Sequence, residues 1–162
     1  MSFIVGIDGP AGTGKGTITN LVAKDLKLNQ IDTGAMYRAF TLYMLDNKVE
    51  LDEIEKIKEL LEKVKIDLIQ EDDKETVFLN GKDVTKEIRS KSVTNFVSPV
   101  SSIIEVRIKM VELQRKMAEG KNVIMEGRDI TTYVFPNANV KIYLDANVEE
   151  RAKRRYKENI EK

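Results

Sequence analysis

Gly9-Pro10-Ala11-Gly12-Thr13-Gly14-Lys15 constrains this chain more than any other stretch. The apolar run Phe3 to Ile7 leads into it and reads as a buried strand. Lys15 to Leu26 follows as an amphipathic helix, with Ile18, Leu21, Val22 and Leu26 predicted on its buried face. Strand, glycine-rich loop, lysine and helix in that order form a cradle for phosphate oxygens. Glycines let backbone N–H groups converge, the helix N-terminus adds partial positive charge, and Lys15 adds a full one. Gly16 stands where Ser or Thr usually ligates Mg²⁺, with Thr17 one place later. The expectation is a chain that binds a nucleoside triphosphate or another polyphosphate.

The available chemistry is narrow. No cysteine and no histidine occur, so thiolate catalysis, disulfides and an imidazole base are excluded. Carboxylates, Lys, Arg and hydroxyls remain. Basic and acidic residues balance at 27 each, which gives no global field toward nucleic acid or membrane. No stretch reaches 18 apolar residues, and the N-terminus carries no charged-then-apolar leader. The expectation is one cytoplasmic domain of 162 residues acting on small molecules as a monomer.

Further along, short apolar runs end in polar residues. Leu28 to Ile31 reads as a strand, followed by Asp32-Thr33-Gly34-Ala35-Met36-Tyr37-Arg38 and a helix that turns Met36, Phe40, Tyr43 and Met44 inward. Thr33, Tyr37 and Arg38 could line a site at a strand's C-terminal end, or could be a plain N-cap with an exposed arginine. Asp52 to Val64 is a second amphipathic helix. About residues 65–88 the pattern changes to three short antiparallel strands around the Asn80-Gly81 turn, an insertion into βαβ alternation. Ser90 to Val97 reads as a helix stopped near Ser98-Pro99. A long helix opens at the capping-box spacing Ser102 to Glu105 and ends at Gly120; Arg107, beside its apolar stripe, reads by position as an exposed arginine.

Asn122 to Glu126 is the next strand, running into Gly127-Arg128-Asp129; these point where the phosphate loop points, or form a local ion pair. Val140 to Leu144 is the last strand, ending at Asp145. Asn147 caps a helix that places Arg151, Arg154 and Arg155 on one face, which Glu149, Glu150 and Glu158 could neutralise. The fold class is α/β: a three-layer α/β/α arrangement on a parallel sheet, with a small antiparallel insertion.

These motifs together, including Gly81-x-Asp83-Val84-Thr85-x-Glu87-Ile88-Arg89 and Val134-Phe135-Pro136-Asn137-Ala138, closely resemble the bacterial cytidylate kinases, nucleoside monophosphate kinases of the P-loop class. The resemblance runs from Gly6 to Arg155. It implies phosphoryl transfer from ATP to CMP or dCMP, with residues 34–100 as the monophosphate-binding subdomain. Gly9 to Thr17 (Gly9, Pro10, Ala11, Gly12, Thr13, Gly14, Lys15, Gly16, Thr17) would hold the ATP phosphates, joined by Arg151 and Arg154. Arg38 and Arg128 would hold the CMP phosphate beside Thr33 and Tyr37, and Ser98, Arg107 and Asp129 would read cytosine. Lys15, Arg128 and Arg154 would be catalytic. Mg²⁺ is expected with ATP, without an obvious protein ligand. Two departures stand out. Thr131 occupies a place where the family usually has glycine, and the chain stops at Lys162, where family members continue through a lid, a further helix and a last strand. On that ground the sequence reads as truncated, with an edge strand left exposed. The alternatives are a nucleotide-binding fragment without transferase activity, and a P-loop kinase of UMP, dTMP or shikimate.

Overall fold

A computed structural model describes residues 2–72 and 74–161; Asp73, in the acidic loop of the predicted insertion, lies outside them. The chain divides into two compact units, residues 1–32 with 118–162, and residues 33–117.

The first unit is a four-stranded sheet in the order β2-β6-β1-β7, every pair parallel. Its strands are β1 (Ile4–Asp8), β2 (Asn29–Asp32), β6 (Val123–Gly127) and β7 (Val140–Tyr143). Helix α1 (Lys15–Leu26) follows β1 and helix α6 (Val148–Ile160) follows β7. Val5, Ile7 and Ile124 of the sheet pack with Ala23 of α1, and Val22, Leu28 and Leu144 close over them. Every strand ends on the same side, as parallel pairing requires, and the register aligns Asp8 with Gly127 and Asp32 with Glu126.

Helix α1 meets the sheet on a face turned from the one predicted: of the predicted stripe, Val22 packs inward. Thr19 and Ala23 are the buried residues, whereas Leu21 and Leu26 are 58% and 61% exposed and Ile18 is exposed as well. Small side chains let the helix approach the strands closely. Thr19 also donates its hydroxyl to Glu126 Oε2 at 3.3 Å, a bond that the apolar face could not make. At the edge of the sheet, Val140, Ile142 and Tyr143 of β7 are exposed.

Helix α6 begins as the sequence predicts. The Asn147 side chain accepts from the Glu150 N–H at 2.8 Å, and Glu149 and Glu150 place negative charge in the first turn. Asn147→Ala is expected to cost about 1 kcal/mol in urea unfolding, and Asn147→Ser only a few tenths. An unchanged midpoint in the Ala variant would show that the cap does not hold the helix.

The second unit is built on α2 (Thr33–Asp46), against which α3 (Ile54–Lys63), β4, a short 3₁₀ turn at Glu87–Arg89 and α4 (Lys91–Ser101) pack. Met36, Phe40, Ile57, Val77, Ile88 and Val93 are essentially inaccessible there. Strands β3 (Ile66–Glu71), β4 (Lys74–Leu79) and β5 (Lys82–Asp83) form the antiparallel insertion, turned at Asn80-Gly81 with both residues at positive φ. Helix α4 runs past Pro99 to Ser101 instead of stopping before it. Pro99 removes one N–H but not the reason to continue: Val100 is fully buried, and the hydroxyls of Ser101 and Ser102 both donate to Ser98 O. Helix α5 (Ile104–Ala118) buries Val106, Met110 and Val111, and the chain leaves it through Gly120 at φ 68.

Candidate active site

The phosphate loop joins β1 to α1 and is shaped by what its glycines avoid. A Cβ on Gly9, at φ 153, would lie 2.0 Å from the Leu144 carbonyl oxygen, and one on Gly12, at φ 75, 2.9 Å from the Arg151 carbonyl oxygen. Gly14, at φ 86, is the left-handed residue from which α1 starts. Only glycine satisfies all three. Lys15 folds back across the loop, its ammonium donating to Pro10 O at 2.8 Å beside the Thr13 hydroxyl at 3.0 Å. Pro10 O thus holds both groups where phosphate oxygens are expected. Ala11, Gly16 and Thr17 are exposed.

Arginines reach this loop from α6. Arg154 donates to Gly12 O at 3.4 Å and pairs with Glu150 at 3.0 Å. Arg151 turns back to Ala146 O at 3.2 Å while its backbone packs on Gly12. Arg155 pairs with Glu158 at 3.1 Å. The three arginines therefore divide, with Arg151 and Arg154 at the loop and Arg155 in a helical ion pair.

Beside the loop lies Gly127-Arg128-Asp129, brought there by the β1–β6 register. Arg128 is exposed, and its charge reaches Lys15. The carboxylates around Lys15 were not picked out by sequence reasoning. Three of the four strands carry an acid at or next to their C-terminal end: Asp8 closes β1, Asp32 closes β2, and Glu126 is the last residue but one of β6. Burial lowers the Lys15 pKa and the Arg128 charge adds to this, while Glu126, Asp32 and Asp8 oppose it. Glu126 is buried, and burial, then repulsion from Asp32, pushes its pKa up to about 7 against the pull of Lys15 and the Thr19 hydroxyl. A side chain at Gly16 would point at this carboxylate, its Cβ 3.7 Å from Oε1. Among the described residues, no three acidic groups gather as a direct metal cage.

The remaining predicted residues belong to the second unit. Thr33 is buried at the start of α2, and Tyr37 and Arg38 are half-buried one turn on. Arg38 donates to Ile88 O at 3.3 Å and to Thr94 Oγ1 at 3.0 Å. Ser98 and Arg107 are exposed, in the last turns of α4 and the first turn of α5. No helix among the described residues is long and apolar enough to cross a membrane.

Comparison with known proteins agrees with this geometry. The family described as cytidylate kinase matches residues 5–162. The cytidylate kinase of Halalkalibacterium halodurans is 50% identical over 158 residues, which is 98% of this chain and 71% of the relative. That of Fusobacterium nucleatum is 51% identical over 161 residues, covering 99% and 72%, and that of Bacillus subtilis 49% over 158 residues, covering 98% and 70%. With a parallel sheet, a phosphate loop at the end of β1 and a match along almost its whole length, the chain belongs to the cytidylate kinase family of P-loop phosphotransferases.

Proposed function

We propose that the protein transfers the γ-phosphoryl group of ATP to CMP or dCMP, giving ADP and CDP or dCDP, as a cytoplasmic monomer. The observation that carries this reading is the meeting of Lys15, Arg128 and the Arg154 guanidinium around one glycine loop in a chain without histidine. Phosphoryl transfer asks for that set. A CMP phosphate is already a nucleophile at neutral pH, so no strong base is needed. Catalysis consists of holding two polyanions in line and neutralising charge that spreads over the equatorial oxygens.

The roles follow the family pattern. Gly9 to Thr17 cradles the ATP phosphates, and Lys15, freed from Pro10 O by the incoming phosphate, bridges to them. Arg151 and Arg154 approach the same phosphates from α6. Arg38 and Arg128 grip the CMP phosphate, where guanidinium forks favour bidentate contacts, and Thr33 and Tyr37 line that site. Residues 34–100 serve as the monophosphate-binding subdomain. Ser98 and Arg107 donate to cytosine N3 and O2, and Asp129 accepts from the amino group.

Mg²⁺ fits this site as a companion of ATP. Gly16 offers no hydroxyl, and the nearest carboxylate, Glu126, sits behind it with Asp32 as register partner. That arrangement suits an ion held by phosphate oxygens and water, with Glu126 and Asp32 binding its waters. When bound, the ion neutralises charge on the β- and γ-phosphates.

ADP release from Mg·ATP, with CMP, dCMP, UMP and AMP offered separately, tests the reading. Uracil sets a carbonyl against the Asp129 carboxylate, a mismatch of about 2 kcal/mol when buried, so kcat/KM for CMP is expected to exceed that for UMP about 30-fold. Equal rates with both would overturn the assignment of the acceptor. ATP binding without any acceptor-dependent release would leave a nucleotide-binding chain that does not transfer.

A further inference from the structure

Thr131, separated from the Gly127-Arg128-Asp129 segment by one residue, has a buried partner. Asp8, the last residue of β1, is 2% exposed, and although its charge acts on Lys15, its carboxylate forms no ion pair among the described residues. It accepts three hydrogen bonds instead. Oδ1 takes the Ile130 N–H at 2.8 Å, and Oδ2 takes the Thr131 N–H at 2.7 Å and the Thr131 hydroxyl at 2.6 Å. These donors open the single wide turn Ile130–Val134, the segment that leaves Arg128 and Asp129. An aspartate just before a helical turn ordinarily caps it with its own side chain. Asp129 makes no such cap; Asp8 supplies it from the neighbouring strand.

Asp8 is itself fixed on both sides. Its backbone pairs with Gly127 in the β1–β6 register, and its carbonyl accepts the Leu144 N–H at 2.7 Å. The next residue is Gly9, where the phosphate loop starts. One buried side chain therefore ties the start of the phosphate loop to the far end of the Gly127-Arg128-Asp129 segment. Gly6 makes room for the tie. A Cβ there would lie 2.9 Å from Thr131 Cγ2 and 3.1 Å from Ile130 Cγ2, so a β-branched residue at 131 and glycine at 6 are complementary.

We propose that Asp8 and Thr131 are positioning residues that hold Arg128 and Asp129 in register with the phosphate loop, the Thr131 hydroxyl adding a third bond to the two made by the backbone amides. The inference rests on the proposed contacts of Arg128 and Asp129 with CMP. Neither Asp8 nor Thr131 touches substrate in this scheme. Their loss is therefore read first in the apparent affinity for the acceptor, with the apparent affinity for ATP spared.

Thr131→Val keeps the branched shape and removes the donor; Thr131→Ser keeps the donor and removes the methyl group. Thr131→Val is expected to raise KM for CMP about 10-fold and to lower kcat by less than that, because Arg128 also serves the chemical step, with KM for ATP within about twofold. Its Ile130 and Thr131-position amides should exchange hydrogen about 10-fold faster than in the parent protein. Thr131→Ser should match the parent in all four quantities. Gly6→Ala should raise KM for CMP as Thr131→Val does, and adding Thr131→Ser to it should recover part of the loss, because serine lacks Cγ2. Unchanged KM for CMP in Thr131→Val, or equal losses in the Val and Ser variants, would overturn the proposal. If the parent protein neither binds CMP by calorimetry nor releases ADP with it, the acceptor reading fails instead. Amide exchange then decides the tie alone, and equal exchange in Thr131→Val and parent refutes it.

Discussion

Lys15→Met is expected to lower kcat/KM for CMP-dependent ADP release by about 10³-fold or more, some 4 kcal/mol of transition-state stabilisation. Methionine keeps the length and apolar stem of lysine, so the loss isolates the charge. In this structure the ammonium bridges to Pro10 O at 2.8 Å, half-buried and within reach of the Arg128 charge and of Glu126, Asp32 and Asp8. Burial already disfavours its charged form, so the cation is held by the three surrounding acids and, in the complex, by phosphate. Removing it leaves those carboxylates beside the triphosphate without the ammonium that offsets them. ATP binding measured by calorimetry should weaken far less than kcat falls, because the loop's N–H groups and α1 remain in place. Lys15→Arg should recover little: a planar fork cannot occupy the position of a compact ammonium folded into the loop. Equal losses in ATP affinity and in kcat/KM would instead make Lys15 a simple binding residue.

Much of this site was legible from residue order alone. Strand, glycine loop, Lys15 and helix appear where the spacing places them, and the antiparallel insertion turns at Asn80-Gly81 as predicted. Glycine punctuation works because positive φ is a local demand that few residues meet. The misses are tertiary. Apolar residues at helical spacing chose Ile18, Leu21 and Leu26 for the inner face of α1, but closeness to the sheet and the Thr19–Glu126 bond select Thr19 and Ala23. Pro99 reads as a stop by backbone sterics, whereas burial of Val100 and two serine hydroxyls carry α4 through it. Asp8, Asp32 and Glu126 were visible only as strand ends. An acid closing an apolar run, repeated on three strands, is a signal in itself, but its meaning needs the strand order β2-β6-β1 that gathers the three beside Lys15. Thr131 is the reverse case: seen in the sequence as a departure from the family, and explained only by a carboxylate more than a hundred residues earlier.

Glu126 gives the protein an unusual dependence of stability on pH, the second large effect. Its pKa in the folded chain is about 7, against an ordinary value of 4.5, because burial and Asp32 penalise the charged form more than Lys15 and Thr19 repay it. Between these values the native state binds the extra proton, so the unfolded state holds fewer and stability falls as pH rises. The shift corresponds to about 3 kcal/mol, withheld below pH 4.5 and fully charged against the fold once pH passes 7. Glu126→Gln removes the titration and keeps an acceptor for the Thr19 hydroxyl. The variant should therefore match the parent near pH 4.5 and exceed its unfolding free energy by about 3 kcal/mol at pH 8, read from urea titrations at both pH values. Mg·ATP should reverse the order at pH 8, because a hydrated dication beside the carboxylate favours its charged form, and the parent should gain more stability from the ligand than the Gln variant does. A difference between parent and variant that stays flat from pH 4.5 to 8 would mean that Glu126 titrates alike in the folded and unfolded chain. Equal stabilisation of the two by Mg·ATP would place the ion away from Glu126.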